Sequence, residues 1–499
     1  MLHFSKSKYT SFIQCPKMLW LKTYHPELAE EDPAAKERMD KGNVVGDLAM
    51  GFFGEYEEMT ALTPDGKMDI DKMVKNTKDA MDRGVENICE AAFLHDGLYC
   101  AVDILRKENG GYAIYEVKSS TEPKYIYIVD ISYQKYLLEK CGVKVTGTYV
   151  VNINNKYVRQ GDLDIKQLFK ITDVSAMVEQ EYGIHHIDAE LEYAERILGC
   201  KDEPDIDLSV GCHSPYDCVF FKYCTRHIPA PSVFDVYKLG FPKALDLYKR
   251  GITDLKDVLA CTKLNAIQKR QIDHTINKQP AYVDKDGIKK FLNGLSYPLY
   301  FLDYESIQPV IPEFPNSKPY QQITFQYSLH YIEHENGEVK HKEFLGVSGE
   351  DPRRALAEQL VKDIPTTGSV LAWNQTFEKS RTKELAALFP DLAKDLMRIH
   401  DAIQDLIIPF RKGYYYTKDF DGSFSIKRVL PAMFPGDPEL DYHNLEGVHN
   451  GGEAMTIFPL IKDMPPTEQE IARKNLLKYC ELDTYAAVKI WQKLKELCE

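Results

Sequence analysis

The sequence predicts an α/β protein built from several domains, and three observations lead there. At about 100 to 200 residues per domain, a chain of 499 residues implies roughly three domains. Two glycine-bounded strand signals, CAVDIL and YAIYEVKS, lie in the N-terminal half. The last 200 or so residues alternate strand-like and helical patterns, from the apolar strand YPLYFLDYES to KYCELDTYAAVKIWQKLKEL, which is the signature of an α/β layer structure. Composition agrees: 44% hydrophobic and 28% charged residues exclude general disorder and a fibrous repeat. No window approaches 18 uninterrupted apolar residues, so no membrane-spanning helix and no membrane partner are expected. The opening MLHFSKSKYTSFIQCPKMLW has scattered lysines instead of a basic patch followed by an apolar core. No cleaved leader is expected, and the protein is read as cytoplasmic. A net charge of -14 excludes generic polyanion binding through bulk charge, so nucleic acid would have to be held in a local groove.

Boundary signals lie at CTRHIPAPSVF, near 224–234, and around NKQPAYVDKDG, near 277–297. They divide the chain into 1–230, 231–290 and 291–499. In the first part, KENGG joins the two strand signals into a hairpin, with Gly110 and Gly111 supplying the turn dihedrals. The middle part reads as short helices interrupted at Gly251. Its sequence KALDLYKRGITDLKDVLA resembles a helix-hairpin-helix, in which a glycine turn offers N–H groups to phosphate. Lys243, Lys249, Arg250, Lys256, Lys263, Lys269 and Arg270 are either phosphate contacts or a solvated face.

On the hairpin, Asp103 lies towards the end of one strand, while Glu116 and Lys118, two apart, project from one face of the next. Two carboxylates can hold an oxygen-liganded dication, and the lysine can position water beside a phosphate. The bland alternative is a solvated hairpin face. Asp103, the thirteen-residue step to Glu116, and Lys118 resemble the core of the PD-(D/E)XK nucleases, in the RecB-like branch that includes CRISPR-associated adaptation nucleases. SYQKYLLEK, with Gln134 opening a helix, looks like the glutamine motif of that branch, and SKSKYTSFIQCPKMLWLK looks like its start, where a helix carries a Cys-Pro pair. The resemblance spans roughly 1–230 and implies a restriction-endonuclease-like α/β core with catalytic Asp103, Glu116, Lys118 and Gln134. One departure is the missing histidine before the hairpin, for which Asp47 or Glu90 could substitute.

Eleven cysteines in a chain without a secretory signal indicate reduced thiols or metal ligands. Cys212, Cys218 and Cys224 recur every six residues in GCHSPYDCVFFKYC, a loop-like stretch. The nuclease branch places one cysteine in its first helix and three at its end, which makes Cys15 the fourth thiol and implies a [4Fe-4S] cluster closing the domain. Zinc, with His213 or His227 as replacement ligands, and ordinary buried thiols are the alternatives. The other seven cysteines, Cys480 among them, read as core or surface thiols.

In YFLDYES, Asp303 and Glu305 alternate along an apolar strand and share a face. A buried strand rarely carries two carboxylates without a neutralising cation. Tyr479 and Asp483 lie one helical turn apart, and LAWNQTFEKS places Glu378 after Asn374 and Phe377. Together these resemble the motifs of the DnaQ-like DEDD exonucleases and imply an RNase H-like α/β domain. The resemblance assigns Asp303, Glu305 and Asp483 as metal ligands, Glu378 as a further acid, and Tyr479 as the group orienting the attacking water. The family usually has Asp where Glu378 stands, and Asp401 or Asp405 in RIHDAIQDL are the alternatives. In GSFSIKRVLP, Ser423, Ser425 and Lys427 either touch a phosphate backbone or form a helix N-cap.

The whole resembles a bacterial family of uncharacterised proteins that fuse the two modules. The implied activity is a nuclease using Mg2+ or Mn2+ on phosphodiesters of DNA, especially single-stranded ends. DNA is favoured over RNA because RecB-like relatives process DNA. An alternative keeps the N-terminal part as a non-catalytic binding platform, leaving only the C-terminal module as an exonuclease on DNA or RNA. A third makes the chain a non-catalytic scaffold.

Overall fold

The computed structural model describes residues 4–31, 35–184 and 186–499, and it is a mixed α/β structure. The chain divides into two units: Met1–His227 with Pro309–Gln321, and Ile228–Gln308 with Gln322–Glu499. The first division falls inside CTRHIPAPSVF. Near 277–297 no division occurs, so the short helices Phe241–Lys249, Leu255–Cys261 and Ala266–Asn277 join the second unit instead of standing apart as 231–290. Their own apolar cluster, around Leu247, Val258 and Ile272, is small, and they are tied to the later part of the same unit. Arg270 donates to the Gly413 carbonyl, and the Tyr237 ring packs on Phe424 with centroids 5.0 Å apart.

The first unit contains β1 (Phe4–Ser5), β2 (Glu57–Glu58), β3 (Asn87–His95), β4 (Leu98–Glu108), β5 (Gly111–Lys118), β6 (Val145–Ile153) and β7 (Phe169–Asp173). They form one sheet in the order β2-β3-β4-β5-β6-β7, with β1 paired to β4. The β4–β5 turn is a hairpin as expected, but its two left-handed residues are Asn109 (φ 53) and Gly110 (φ 73), the pattern a two-residue turn needs. Gly111 begins β5 instead of sharing the turn. A Cβ there would lie 2.4 Å from the Lys144 carbonyl, so close backbone approach is what requires glycine.

The crossover from β5 to the parallel strand β6 is the helix Tyr125–Lys140. Every residue from Ile126 to Leu138 is buried, as suits a helix apolar nearly all round. Gln134 therefore sits inside this helix and does not open it: the apolar run YIYIVDIS before it is also helical. The Cys-Pro pair likewise does not lie within a helix. Cys15 is extended (φ -163, ψ 118) between the helices Lys6–Gln14 and Pro16–Tyr24, because a residue before proline avoids the helical region and proline suits a first helical turn.

The second unit contains β8 (Tyr282–Val283), β9 (Leu299–Ile307), β10 (Ile323–Ile332), β11 (Lys340–Leu345), β12 (Ser369–Ala372), β13 (Ile403–Asp405) and β14 (Tyr415–Tyr416). Its main sheet runs β11-β10-β9-β12-β13, antiparallel from β11 to β9 and parallel from β9 to β13. Alternation along the central strand β9 separates two faces. Tyr300, Leu302 and Tyr304 enter a core with Leu356, Leu360 and Leu385. On the other face Phe301 meets Trp491 of the long helix Pro466–Glu496, centroids 5.9 Å apart, and Asp303 and Glu305 share that face. Among the described residues no helix is long and apolar enough to cross a membrane.

Candidate functional site

In the first unit, the register decides the geometry. Cys89 pairs with Ile104 and Ala91 with Val102, which sets Glu90 opposite Asp103, mid-strand in β4 and not near its end. Extending the β4–β5 register from Ile104 and Tyr115 sets Glu116 opposite Asp103 in turn. Three carboxylates thus form a row across β3, β4 and β5, an arrangement that is destabilising without cations. Glu90 interrupts the ladder with a left-handed backbone (φ 53), a conformation most residues avoid and functional sites tolerate.

Two lysines and a glutamine close on this row. Lys118 Nζ lies 2.6 Å from Glu116 and 3.1 Å from Asp130. Gln134 Nε2 donates to Glu116 (2.7 Å) and to Asp130 (3.1 Å). Asp130 and Gln134 are one turn apart on the crossover helix, so they share the face turned to β5. Lys6 Nζ lies 3.0 Å from Glu116 and 3.7 Å from Asp103, and the Val117 N–H donates to Asp103 at 2.7 Å. Burial alone would raise Glu116, but Lys118 and Lys6 outweigh it and hold its pKa below the usual range. Burial, then the Glu116 charge, raise Asp103 to about 6; burial and Asp103 raise Glu90 to about 7. The structure thus brings Asp103, Glu116, Lys118 and Gln134 together, adds Lys6 and Asp130, and selects Glu90 over Asp47 as the acid beside them.

The four cysteines also converge. Cys15, Cys212, Cys218 and Cys224 line one cavity with Met18, Leu21 and Phe220. Gly211 makes the approach possible: a Cβ would lie 2.2 Å from the Gln14 carbonyl, while the Gln14 amide donates to the carbonyls of Gly211 (2.8 Å) and Tyr216 (2.7 Å). Burial, reinforced by the other thiols, raises Cys224 to about 11. His213 is occupied by Asp217 at 2.5 Å. Among the described residues, three metal-type ligand atoms lie within 4.8 Å of one another only at Asp303–Glu305–Cys480 and His330–His341–Glu481. Four thiols lining one cavity suit either an iron-sulfur cluster or zinc.

In the second unit, the carboxylates read from the sequence face each other. Asp303, Glu305 and Cys480 put ligand atoms within 4.8 Å of one another, with Cys480 Sγ 3.8 Å from Asp303 Oδ2. Burial raises Asp303, and so do Asp483, Glu305 and Glu378. Burial and Asp483 raise Glu305 to about 8. Burial and Asp405 raise Glu378 to about 8, and Glu378 Oε2 is buried without a hydrogen-bond partner. Asp483 is raised by burial despite hydrogen bonds from Tyr442, at 2.6 Å, and Tyr479. Asp401 pairs with His400 at 2.8 Å and is 75% exposed, away from the cluster. Asp405 accepts the Asn374 N–H at 3.0 Å and stands behind Glu378. Lys427 Nζ lies 5.2 and 5.4 Å from the Tyr442 and Tyr479 ring centres and donates to the His449 carbonyl at 2.8 Å. Ser425 occupies the N-cap position of Ile426–Met433 without a side-chain cap bond. The donor set is almost all oxygen, mutually repelling and partly unsatisfied, and it fits Mg2+ or Mn2+.

This repulsion has a pH signature. Glu305 and Glu378 are ordinary carboxyls in the unfolded chain and titrate near 8 in the fold. Below about pH 4.5 both states are protonated and no penalty applies. As pH rises to 8 the folded state retains protons the unfolded chain has lost, and stability falls. The cation-free protein is therefore expected to melt lower at pH 8 than at pH 6, with Mg2+ or Mn2+ restoring more at pH 8, each 1 kcal/mol giving about 2–4 °C. Thermal melts of wild type and Glu305→Gln check this; an equal slope in both would reject the assignment to Glu305.

Among known protein families, residues 300–425 match the model of a domain of unknown function, DUF2779. That segment contains Asp303, Glu305 and Glu378 and stops before Tyr479 and Asp483. The chain is 26% identical over 231 residues to the uncharacterized protein MG366 of Mycoplasma genitalium, an alignment covering 43% of this chain and 34% of that protein. The chain therefore spans about a third of that relative's length. No solved structure matches the chain.

Proposed function

We propose that this protein is a metal-dependent nuclease that hydrolyses phosphodiester bonds, with its C-terminal module acting as an exonuclease and its N-terminal module as a second nuclease closed by a [4Fe-4S] cluster. The observation that carries the reading is the convergence of Asp303, Glu305 and Asp483, with Glu378 close enough to act on the first two; burial raises all four, and the neighbouring carboxylates raise Asp303 and Glu305 further. Mg2+ or Mn2+ held by these carboxylates would supply Lewis-acid stabilisation of a phosphoryl oxygen. Tyr479, whose hydroxyl shares the Asp483 carboxylate with Tyr442, orients the attacking water. Lys427, whose charge reaches both Glu305 and Asp483, meets the phosphate. In the first unit, Asp103, Glu116 and Glu90 are the acids, and Lys118, kept cationic against the effect of burial by Glu116 and Asp130, positions the water beside the phosphate, with DNA the favoured substrate. Cys15, Cys212, Cys218 and Cys224 hold the cluster.

The test is degradation of end-labelled single- and double-stranded DNA and RNA with Mg2+ or Mn2+. Asp103→Ala with Lys118→Ala is expected to silence one activity by roughly 10²-fold or more, and Asp303→Ala with Glu305→Ala the other. Degradation unchanged by both pairs would sink the reading.

A second reading has its own observation. Both Glu116 oxygens are engaged, by Lys118 and Lys6 on one side and Gln134 on the other, and Lys6 bridges Glu116 to Asp103. A lysine in that place satisfies the carboxylates as a structural ion-pair network, making the first unit a binding platform. Under this reading the Asp103 and Lys118 pair changes nucleic-acid binding alone.

A further inference from the structure

The acidic site uses one side of the helix Pro466–Glu496. Glu481, two residues from both Tyr479 and Asp483, projects about 200° round the helix from each, and it meets a different cluster. His330 on β10 and His341 on β11 are register partners, with ring centroids 4.4 Å apart. Together with Glu481 they place three ligand atoms within 4.8 Å of one another.

The hydrogen bonds around the rings assign a role to each nitrogen. Thr484 Oγ1 lies 2.8 Å from His330 Nδ1, and Ser328 Oγ lies 2.8 Å from His341 Nε2. The two hydroxyls are themselves 2.6 Å apart. Each imidazole thus has one nitrogen engaged by a hydroxyl, leaving His330 Nε2 and His341 Nδ1 to act as ligands. Glu481 Oε1 is 3.9 Å from the latter. Outer hydrogen bonds of this kind fix the tautomer and ring orientation of metal-binding histidines. Glu343, two residues after His341 and so on the same strand face, is close enough to feel both His341 and Glu481. His330 and Glu481 also line an open cavity of about 410 Å³ with Asp441 and Glu439, which gives an ion a route in and leaves room for a water ligand.

We propose that His330, His341 and Glu481 form a binding site for a transition-metal dication of the zinc class, separate from the Asp303–Glu305–Asp483 cluster. Two imidazoles and one carboxylate suit zinc, whereas Mg2+ prefers oxygen ligands throughout. Bonds of about 2.0–2.2 Å require ligand atoms roughly 3.3 Å apart. Glu481, 49% exposed, can rotate to close that gap. The bound ion would fasten the β10–β11 hairpin to the helix that carries Tyr479 and Asp483, holding those two residues in place from the other side.

The experiment is a zinc count on the full-length protein. Metal is stripped with a chelator, Zn2+ is added with Mg2+ in excess, unbound ion is removed by gel filtration, and zinc is measured by mass spectrometry alongside a competition titration. Glu481→Gln and His341→Gln are each expected to lose one zinc per chain, or to bind it at least about tenfold more weakly. Cys218→Ser keeps that equivalent, which separates this site from the thiols. Zinc content and affinity identical in wild type and Glu481→Gln would overturn the proposal and reduce the cluster to a packed His-Ser-Thr network. If His341→Gln fails to fold, Glu481→Gln, altered at a half-exposed side chain, decides alone.

Discussion

Asp303→Asn is expected to abolish cation-dependent degradation by the C-terminal module, by roughly 10³-fold or more, and at the same time to raise the melting temperature of the cation-free protein. The two effects have one cause. Asp303 is held above its ordinary pKa by burial and by Asp483, Glu305 and Glu378, so its ionised form is costly in the empty fold and favourable only with a cation beside it. Removing that charge takes away a metal ligand worth several kcal/mol to phosphoryl transfer, and it relieves the repulsion on Glu305 and Asp483. Activity lost with stability gained marks a site whose residues are selected for chemistry over packing. Kinetics on end-labelled DNA and RNA, together with thermal melts in chelator, measure both. Unchanged degradation would remove the acidic cluster from the reaction. A lowered melting temperature would mean that the carboxylate is a stabilising partner and not a strained one.

Cys218→Ser is expected to remove the visible absorbance and bound iron of the purified protein and to lower the stability of the first unit by about 4 kcal/mol. Cys218 senses Cys15 and Cys212 directly, and Cys224 senses all three of the other thiols. Burial raises the pKa of both, so in the absence of metal they are protonated thiols, and metal binding deprotonates them. A cluster joining Cys15 to Cys212 closes a loop of nearly 200 residues, and closing loops of that length removes about 4–5 kcal/mol of unfolded-state entropy in the chain-entropy picture. Iron analysis, an absorption spectrum and a melt of the variant beside Cys200→Ser, at an exposed thiol, test this. Colourless wild-type protein with stoichiometric zinc would replace the iron-sulfur assignment. Metal content equal in both variants would leave the four cysteines as packing residues.

Several site residues were legible because their spacing carries a period. Glu116 and Lys118 two apart on a strand, Asp303 and Glu305 likewise, and Tyr479 and Asp483 one helical turn apart each define a face without knowledge of the fold. Others had no such signal. Asp130 lies inside the apolar run YIYIVDIS and reads as an interruption of a buried helix. Tyr442 reaches Asp483 across 41 residues. Cys480 looked like an ordinary core thiol between Tyr479 and Asp483. Lys6 belongs to a segment 110 residues from Glu116. Glu90 was one of two candidates, and only the β3–β4 register set it against Asp103.

The sequence by itself determined the α/β class and the faces on which acids and amides project, because side-chain direction follows from the local backbone period. The tertiary structure alone decided which of those faces meet. It aligned Glu90, Asp103 and Glu116 in one row, brought Lys6 to Glu116 and Tyr442 to Asp483, and turned opposite sides of one long helix towards an acidic cluster and a histidine pair. Such encounters depend on strand register and on packing between segments far apart in the chain, and no local periodicity encodes them.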